Sequence, residues 1–456
     1  MSQALFSPAE LQTATSGRWL TPPAAELVFH LVTDTRTDGR GGIFIALAGE
    51  KFDAHDFLDK ALAAGCAALC INETRIHLAP AGVPVLAVTD TLQAFQQLAA
   101  FHRRRFPALK VAGVTGSVGK TSVKEMLRAI FSEAAGADNV LYTLGNTNNH
   151  IGVPQNLLRL NENHRFAVIE MGTSSPGEIA PLTRLAAPHA AVVNTIAPCH
   201  LEKLLSLEGV AREKGTIFSA LPPDGTAVIP AEAPAVNELL AAAAGHKILR
   251  FGGDGKGDIH AAFIQGDITG SEFSLTFPDR RSFKLSWQLA GTHQVVNAAA
   301  AASAATALGI PPEVIVRALP KTTLPGMRMR QTLLNGITYI NDAYNANPVS
   351  MKALLSLLRD TTPAEKVVLV LGGMKELGAS SAAEHRALLQ WVKTALPAAR
   401  LITVGEEFSG LDGGTFFPRS ADAAEFLQTL LQQGDIVVAK GSNSTHTELA
   451  LPEEAR

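Results

Sequence analysis

Cysteine is scarce in this chain. Three cysteines, Cys66, Cys70 and Cys199, occur in 456 residues, and no two of them form a Cys-x-x-Cys pair. An odd number of cysteines without that spacing argues against both a disulfide framework and a zinc site. The sequence therefore predicts buried free thiols in a reducing compartment.

A charge excess of either sign is also missing. Lysine and arginine total 39, aspartate and glutamate total 42, and the net charge is −3. A chain with so small an imbalance has no global field that attracts a polyanion. We therefore expect no nucleic-acid partner, and any phosphate recognition must be local.

Long apolar runs are absent as well. The segment 298–308 is rich in alanine but much shorter than the roughly 20 residues that span a bilayer. The opening segment MSQALFSPAELQTATSGRWL has no basic stretch followed by an apolar one, so no signal peptide is expected. These features predict a cytoplasmic protein without a membrane span.

Chain length and composition favour several packed domains. At about 150 residues per domain, the length predicts roughly three, and 46% hydrophobic residues are enough for real cores. Strand and helix patterns alternate in three blocks, which predicts a three-domain α/β fold. The expected domains are a small α/β domain at 1–107, a central domain with a mostly parallel doubly wound sheet at 108–325, and a Rossmann-like α/β domain at 326–456.

Hydrophobic periodicity predicts the strands and helices on which this domain division rests. Apolar strands are predicted at 42–47, 67–71, 84–88, 110–114, 166–170, 190–194, 337–341, 366–371, 400–404 and 435–440. Helices are predicted at 57–68, 91–106, 121–134, 207–220, 292–308, 349–358, 382–395 and 421–431. Alternating segments at 259–264, 273–277 and 283–287 predict an antiparallel extension of the central sheet.

The most informative segment is VAGVTGSVGKTS at 111–122. An apolar strand leads into a glycine-bearing turn and then a helix, so consecutive amides and the helix N-terminus converge on one anion site. In such a loop Lys120 reaches the β- and γ-phosphates and the Thr121 hydroxyl ligates Mg²⁺. The strict pattern has glycine where this chain has Val114. ATP or GTP binding is predicted for Thr115, Gly116, Ser117, Val118, Gly119, Lys120, Thr121 and Ser122.

A phosphate loop alone leaves kinases, GTPase switches, helicases and ligases open. No aspartate ends an apolar strand in the usual Walker-B manner, and the candidate metal carboxylate is Glu170, at the end of the predicted strand 166–170. A carboxylate at that edge of an open α/β sheet lies where ligands bind and offers the oxygen that Mg²⁺ prefers.

Further short motifs follow one another along nearly the whole chain. They are TGSVGKTS at 115–122, GNTNN at 145–149, IGVP at 151–154, EMG at 170–172, HLE at 200–202, EKG at 213–215, GTH at 291–293 with Asn297, DAYNANP at 342–348 and KGS at 440–442. In order and spacing these motifs resemble the Mur ligases, the ATP-dependent amide-bond enzymes of peptidoglycan synthesis. The asparagine-rich and late Lys-Gly-Ser segments resemble the members that add a dipeptide.

The resemblance implies an activity. ATP would convert the terminal carboxylate of UDP-N-acetylmuramoyl-tripeptide into an acyl phosphate, which the amine of D-alanyl-D-alanine attacks to give UDP-MurNAc-pentapeptide, ADP and phosphate. Such a reaction needs anions to be positioned and neutralised rather than a covalent protein nucleophile. We expect a monomer.

Alternative functions remain open at this point. One is a Mur ligase or folylpolyglutamate-type synthase that adds a single amino acid, and another is a nucleotide-binding module without ligase chemistry. The joint presence of Lys120, Glu170, His200 and Lys214 argues against the inactive module.

By resemblance, these same four residues are the catalytic set, and two Mg²⁺ ions are implied. Thr121 and Glu170 would hold the ion that bridges the ATP phosphates. His200 and Lys214 would belong to a second ion near the acyl phosphate. Because an ammonium cannot ligate a cation, Lys214 is expected to be carbamylated, which gives an anionic oxygen ligand.

Contacts to ATP and to the other substrates are likewise carried over from the resemblance. Asn297 and Asp342 would contact the nucleotide, and Arg328 would reach the γ-phosphate, with Arg330 as a competitor for that role. Further expected substrate contacts are Thr35 and Arg36 to the UDP moiety, Asn148 and Asn149 to the muramoyl-peptide end, and Tyr344, Asn345, Lys440 and Ser442 to the peptides.

Overall fold

Three separate β-sheets organise the chain. The computed structural model describes residues 5–49 and 52–456, and its sheets fall within 18–88, 110–287 and 330–440. This arrangement confirms the predicted α/β class with three sheet-containing blocks. The expected boundaries at 107/108 and 325/326 lie in the gaps between sheets and stay a prediction. Residues 1–4 and 50–51 of the expected first domain lie outside the described residues.

The first sheet has five strands in the order β1-β5-β4-β3-β2, all parallel except β1. Its elements are α1 (Pro8–Thr15), β1 (Arg18–Thr21), β2 (Leu31–Val32), β3 (Ile43–Ile45), α2 (Leu58–Ala63), β4 (Ala68–Asn72), β5 (Val85–Val88) and α3 (Thr91–Arg104). Phe6, Phe29 and Phe95 are buried in its core.

The C-terminal end of α3 joins this unit to the next one. His102 and Arg103 are buried there. The Arg103 guanidinium donates to the Ala186 and Phe106 carbonyls, and His102 Nε2 lies 2.9 Å from the Leu160 carbonyl. The bonds to Ala186, the last residue of α6, and to Leu160 join the first unit to the second, and the first of them satisfies a carbonyl that a helix end leaves free.

The central sheet has nine strands in the order β14-β13-β12-β11-β10-β9-β6-β8-β7. Its pairs are parallel from β12 to β7 and antiparallel from β12 to β14, which confirms the predicted antiparallel extension. Its strands are β6 (Lys110–Thr115), β7 (Val140–Tyr142), β8 (Phe166–Glu170), β9 (Ala190–Val193), β10 (Thr226–Pro230), β11 (Lys247–Gly253), β12 (Ile259–Asp267), β13 (Gly270–Thr276) and β14 (Ser282–Trp287). Its helices are α4 (Lys120–Ala135), α5 (Gly152–Leu157), α6 (Ile179–Ala186), α7 (Leu201–Leu204), α8 (Leu207–Gly215), α9 (Val236–Ala242), α10 (Thr292–Ala307) and α11 (Pro312–Ala318).

Helices cover both faces of this sheet. On one face α4 and α10 form a core with Met126, Ile130 and the fully buried alanines 298–302. Alanine carries no bulk beyond Cβ, so α10 can lie close to the sheet along this run. On the other face α6 and α8 contribute Leu182 and Val210. The doubly wound arrangement follows from these two cores.

The third sheet has six strands in the order β15-β16-β20-β17-β18-β19, parallel except for the β15–β16 pair. Its elements are β15 (Arg330–Leu334), β16 (Ile337–Asn341), α12 (Pro348–Thr361), β17 (Val367–Gly372), α13 (Ser381–Ala395), β18 (Arg400–Val404), β19 (Thr415–Phe417), α14 (Ser420–Leu430) and β20 (Ile436–Lys440).

Two further sequence expectations have a structural outcome. The helix predicted at 207–220 ends at Gly215 and continues as a 3₁₀ turn, Thr216–Ala220. The three cysteines are free and buried, as the sequence predicts. In the described residues no helix combines the length and the hydropathy needed to cross a membrane.

Candidate active site

The phosphate loop lies at the carboxyl end of β6, between β9 and β8. Gly119 has φ +81°, and an added Cβ would lie 2.3 Å from Asn194 Nδ2 and 2.7 Å from Asn297 Oδ1. No larger residue fits there, because both the left-handed backbone and the two amide side chains exclude one. This close approach places Asn297 of α10 directly against the loop.

The segment after β9 holds the loop in shape. The Ser117 amide donates to the Thr195 carbonyl at 2.7 Å, and the Ser117 hydroxyl donates to the Ala197 carbonyl at 3.0 Å. Asn194 Nδ2 donates to the Val118 carbonyl and to Asn297 Oδ1. The side chain of Lys120 curls back and donates to the Gly116 carbonyl at 2.8 Å. These protein–protein bonds therefore define the shape of the loop.

Glu170 ends β8 beside the start of α4. Its Oε2 accepts from the Thr121 hydroxyl at 3.1 Å, and its Oε1 accepts from Asn148 Nδ2 at 2.8 Å. The carboxylate is buried, with 2% of the residue exposed. Two oxygens of the type that Mg²⁺ prefers therefore meet next to the phosphate loop, and this donor set fits the cation implied by the sequence.

Asn156 of α5 is a buried residue that the sequence reasoning missed. Its Oδ1 accepts from the Leu144 amide, and its Nδ2 donates to the carbonyls of Thr147 and Gly152 at 2.9 and 2.7 Å. It therefore clamps the loop that carries Asn148. Asn149 lies at the end of the same loop, where its side chain accepts from the Gly152 amide. Nothing in the local sequence pattern marks an asparagine inside a helix for this task.

Lys214 is buried near the end of α8. Burial, together with the nearby Lys120 ammonium, lowers the pKa of Lys214 to about 8. The neighbouring Glu213 accepts from the amides of Gly177, Glu178 and Ile179, which fixes α8 against the start of α6. A lysine held in this way has an appreciable neutral fraction near neutral pH, and only the neutral amine reacts with CO₂.

His200 precedes α7 in a left-handed conformation, φ +52°. Its Nδ1 lies 2.6 Å from Oε2 of Glu376, which belongs to the third sheet's unit, although the pair lacks the alignment of a regular hydrogen bond. The sequence reasoning did not single out Glu376. Its position depends on how the two units dock, which no local pattern reveals.

The unit that contains the third sheet (residues 326–456, here the third unit) brings Arg328 to the phosphate loop. Arg328 Nη2 donates to the Thr121 hydroxyl at 3.2 Å, and its guanidinium stacks 3.6 Å from the centre of the Tyr344 ring. Arg330 lies elsewhere, with Nη1 donating to the Arg456 carbonyl. Of the two arginines that the sequence left in competition, the structure brings Arg328 to the loop.

Asp342, which directly follows β16, forms an ion pair with the buried Lys440. Its Oδ2 lies 2.6 Å from Lys440 Nζ, which also donates to the Asn345 carbonyl. Ser442 is buried too and accepts from the Lys375 amide. Lys440 and Ser442 thus bind their own domain, and their expected substrate role stays a prediction.

His293, at the start of α10, lies near that pair. Burial lowers its pKa to about 4, so the imidazole is neutral. Its ring fills the space beside Gly291, where an added Cβ would lie 2.8 Å from it.

The residues expected to bind the UDP moiety lie in a loop after β2. Arg36 is 88% exposed and pairs with Asp34, and Thr35 lies between them in sequence. The structure therefore leaves the Arg36 side chain open to solvent, and its role stays a prediction.

In the described residues no three His, Cys, Asp or Glu side chains form a metal-ligand cluster. The expected sites do not require one, because each combines one such residue with a hydroxyl or a lysine. The two expected pairs are Thr121 with Glu170, and His200 with Lys214, whose carbamylation stays a prediction.

Leu205, between α7 and α8, gives a stability prediction. Its φ is +66° and ψ −41°, and 81% of the residue is exposed. Glycine relieves this conformation while the side chain gives up little burial, so Leu205→Gly is expected to raise the melting temperature by about 2 °C. The matched control is Leu333→Gly in β15, also exposed, which is expected to lower it. Equal decreases in calorimetry would contradict the strain argument.

Comparisons with known proteins agree with this geometry. Residues 114–305 match the family described as Mur ligase middle domain, and residues 327–443 match the Mur ligase, glutamate ligase domain. The UDP-N-acetylmuramoyl-tripeptide–D-alanyl-D-alanine ligases of Escherichia coli (strain K12) and Haemophilus influenzae are 38% and 36% identical, covering 92% and 91% of both chains. The crystal structure of MurF from Acinetobacter baumannii superposes with a TM-score of 0.91 at 34% identity, over 99% of this chain and 98% of that one. The chain therefore belongs to the Mur ligase family.

Proposed function

We propose that this protein joins D-alanyl-D-alanine to UDP-N-acetylmuramoyl-tripeptide with ATP, giving UDP-MurNAc-pentapeptide, ADP and phosphate. The choice of substrates is supported by the relatives that carry this activity in their names over nine-tenths of both chains. The observation that carries the chemistry is the convergence of Glu170 and Arg328 on the Thr121 hydroxyl, in the phosphate loop that also carries Lys120. We place the reaction in the cytoplasm, where ATP is available, and propose a monomer.

The proposed reaction has two steps. An oxygen of the tripeptide's terminal carboxylate attacks the γ-phosphorus, the bond to the β-phosphate oxygen breaks, and ADP leaves. The neutral amine of the dipeptide then attacks the acyl carbon, loses a proton, and expels phosphate as the amide forms. Water must be excluded between the steps, since it would hydrolyse the acyl phosphate.

The residues of the phosphate loop act in the first step, the transfer of the γ-phosphoryl group. Its amides and Lys120 bind the β- and γ-phosphates, and Arg328 adds positive charge from the third unit. When bound, Mg²⁺ would neutralise charge that develops on the transferring phosphoryl group. Thr121 and Glu170 would hold one ion, and His200 and carbamylated Lys214 the other. Asn297 and Asp342 would contact the nucleotide.

Residues of all three units would contact the UDP-muramoyl and peptide substrates. Thr35 and Arg36 would bind the UDP moiety from the exposed loop of the first unit. Asn148 and Asn149 would orient the muramoyl-peptide end. Tyr344, Asn345, Lys440 and Ser442 would contact the peptide substrates from the third unit.

The direct test is an acceptor comparison. The protein is incubated with ATP, Mg²⁺, UDP-MurNAc-tripeptide and either D-alanyl-D-alanine or single amino acids, and phosphate release is followed. Release with the dipeptide is expected, and hydroxylamine should trap a hydroxamate of the tripeptide. Release with single amino acids alone would overturn the assignment, and product without any hydroxamate would overturn the acyl phosphate.

The two arginines offer a matched comparison. Arg328→Ala removes a charged donor from the Thr121 hydroxyl and the phosphate site. It is expected to lower kcat/KM for ATP about 10- to 100-fold, because a hydrogen bond to a charged group contributes about 1.5–3 kcal/mol. Arg330→Ala, whose side chain bonds the chain's last residue, should leave kcat/KM near the native value. The opposite ranking in an ADP-release assay would assign the phosphate to Arg330.

A further inference from the structure

Among the described residues, Glu376 is the one carboxylate of the third unit that contacts His200. It lies in the loop between β17 and α13, and its Oε2 is 2.6 Å from His200 Nδ1. The two residues are in units built on different sheets. More than half of the Glu376 side chain remains exposed, so burial does not force this contact.

The loop that carries Glu376 is firmly anchored within the third unit. The Met374 amide donates to Nε2 of the fully buried His385, and the Lys375 amide donates to the Ser442 hydroxyl. The Lys375 ammonium pairs with Glu407. Anchors on both residues before Glu376 fix where its side chain leaves the loop.

The backbone at Glu376 is unusual for a glutamate. Its φ is +63°, and the nearby Gly378 is also left-handed, at +55°. A residue with a side chain occupies this region only when its surroundings enforce it, and such positions cluster at functional sites. A Cβ on Gly378 would lie 3.5 Å from the Cα of Glu202, so the loop packs closely on α7.

A histidine ring has two nitrogens, and a partner on one decides which remains available. In proteins a histidine that ligates a metal commonly donates its other ring N–H to a carboxylate, which fixes the ring and raises its basicity. With Glu376 at Nδ1, the free nitrogen of His200 is Nε2. The Glu376 carboxylate has the spacing of such a partner, 2.6 Å from Nδ1, although the two groups are not aligned as a regular hydrogen bond.

We propose that Glu376 is a positioning residue for His200, so that docking of the third unit orders the second cation site. This inference rests on the proposed function, in which His200 belongs to that site. Glu376 would act through the histidine, because its carboxylate holds the imidazole ring. A ligand site in the central unit would then be complete only when the third unit is docked.

Binding of Mn²⁺ tests this without any turnover. Mn²⁺ is a spectroscopically visible substitute for Mg²⁺ at oxygen-rich sites, and it is titrated into the full chain with ADP and followed by electron paramagnetic resonance. In Glu376→Gln the weaker of two bound ions is expected to lose about 10- to 100-fold in affinity, as for other partners of metal-ligating histidines. The stronger ion, at Thr121 and Glu170, should be unaffected. Glu425→Gln, the same change on an exposed position of α14, is the control.

A double-mutant cycle separates positioning from a simple domain contact. If Glu376 acts through His200, Glu376→Gln should have no further effect on Mn²⁺ affinity in a His200→Ala background. Unchanged affinity in Glu376→Gln, or an undiminished loss in that background, would overturn the proposal. A native chain that binds only one ion would overturn it too. Because no acceptor is present, these outcomes are distinguishable from failure of the phosphate-release assay, which alone tests the proposed reaction.

Discussion

Lys214→Ala is expected to lower kcat for ligation by about 100- to 1,000-fold, the range found when one electrostatic group is removed from a transition-state site. The lysine is buried beside Lys120, and its pKa is lowered to about 8 by burial first and by that neighbour second. A buried ammonium at this place would repel the cation that the reaction needs. The carbamylation that we propose would remove this positive charge and supply an anionic oxygen ligand. The alanine variant also lacks the positive charge, but it cannot supply the oxygen ligand.

Chemical rescue distinguishes this role from a packing role. The alanine variant leaves a space next to the phosphate loop, and a short carboxylic acid such as acetate can supply the missing anionic oxygen there. Partial recovery of kcat in acetate, without recovery of thermal stability, is the expected result. Lys247→Ala, on the exposed first residue of β11, is the control and should keep native turnover with or without acetate. Unchanged turnover in Lys214→Ala would remove Lys214 from the mechanism.

The same lysine shows how far a sequence can lead. The phosphate loop and Glu170 were predictable, because a strand, a glycine-bearing turn and a helix are local in the chain. Lys214 has no such context, since an isolated lysine in a helix is usually solvated. The resemblance to a family singled it out, and the structure then supplied the physical reason in its burial.

Contacts between units were beyond the sequence for a different reason. Arg328 and Arg330 are two residues apart and chemically alike, and the docking of the third unit on the second decides which one meets Thr121. The contact of Glu376 with His200 depends on the same docking. Neither hydrophobic periodicity nor motif spacing contains this information.

Buried polar side chains are a third feature of the site that the sequence could not predict. Asn156 lies inside a helix, where periodicity predicts no function. Its side-chain amide nevertheless forms hydrogen bonds with backbone groups of Leu144, Thr147 and Gly152, in the segment beside Glu170. Lys440 pairs with Asp342 inside its own domain, a contact that the sequence does not reveal, and its expected substrate role stays a prediction. In both cases the burial of a polar side chain depends on its tertiary partners, which the sequence does not name.

Glu170→Gln is the second change with a large expected effect. Glutamine keeps the size of the side chain and an oxygen, but the negative charge next to the phosphate loop is lost. In the native chain the carboxylate accepts from both Thr121 and Asn148, whereas an amide can accept on one side only. In the variant the amide NH₂ group faces either Asn148 or Thr121. In the first case two donors oppose each other, and in the second the oxygen no longer accepts from the Thr121 hydroxyl.

Two effects of the substitution then lower kcat/KM for ATP. The Mg²⁺ ion that Thr121 and Glu170 would share binds more weakly, since Mg²⁺ prefers carboxylate oxygen. The Asn148 loop also loses its contact with the end of β8. We expect kcat/KM for ATP to fall by about 100- to 1,000-fold, with the Mg²⁺ concentration for half-maximal rate rising. Glu162→Gln, exposed and shortly before β8, makes the same charge change away from the loop and should be neutral. If Glu170→Gln lowered thermal stability while the Mg²⁺ dependence of turnover stayed native, Glu170 would be a packing residue, and the first cation would have to be held by other groups at the phosphate loop.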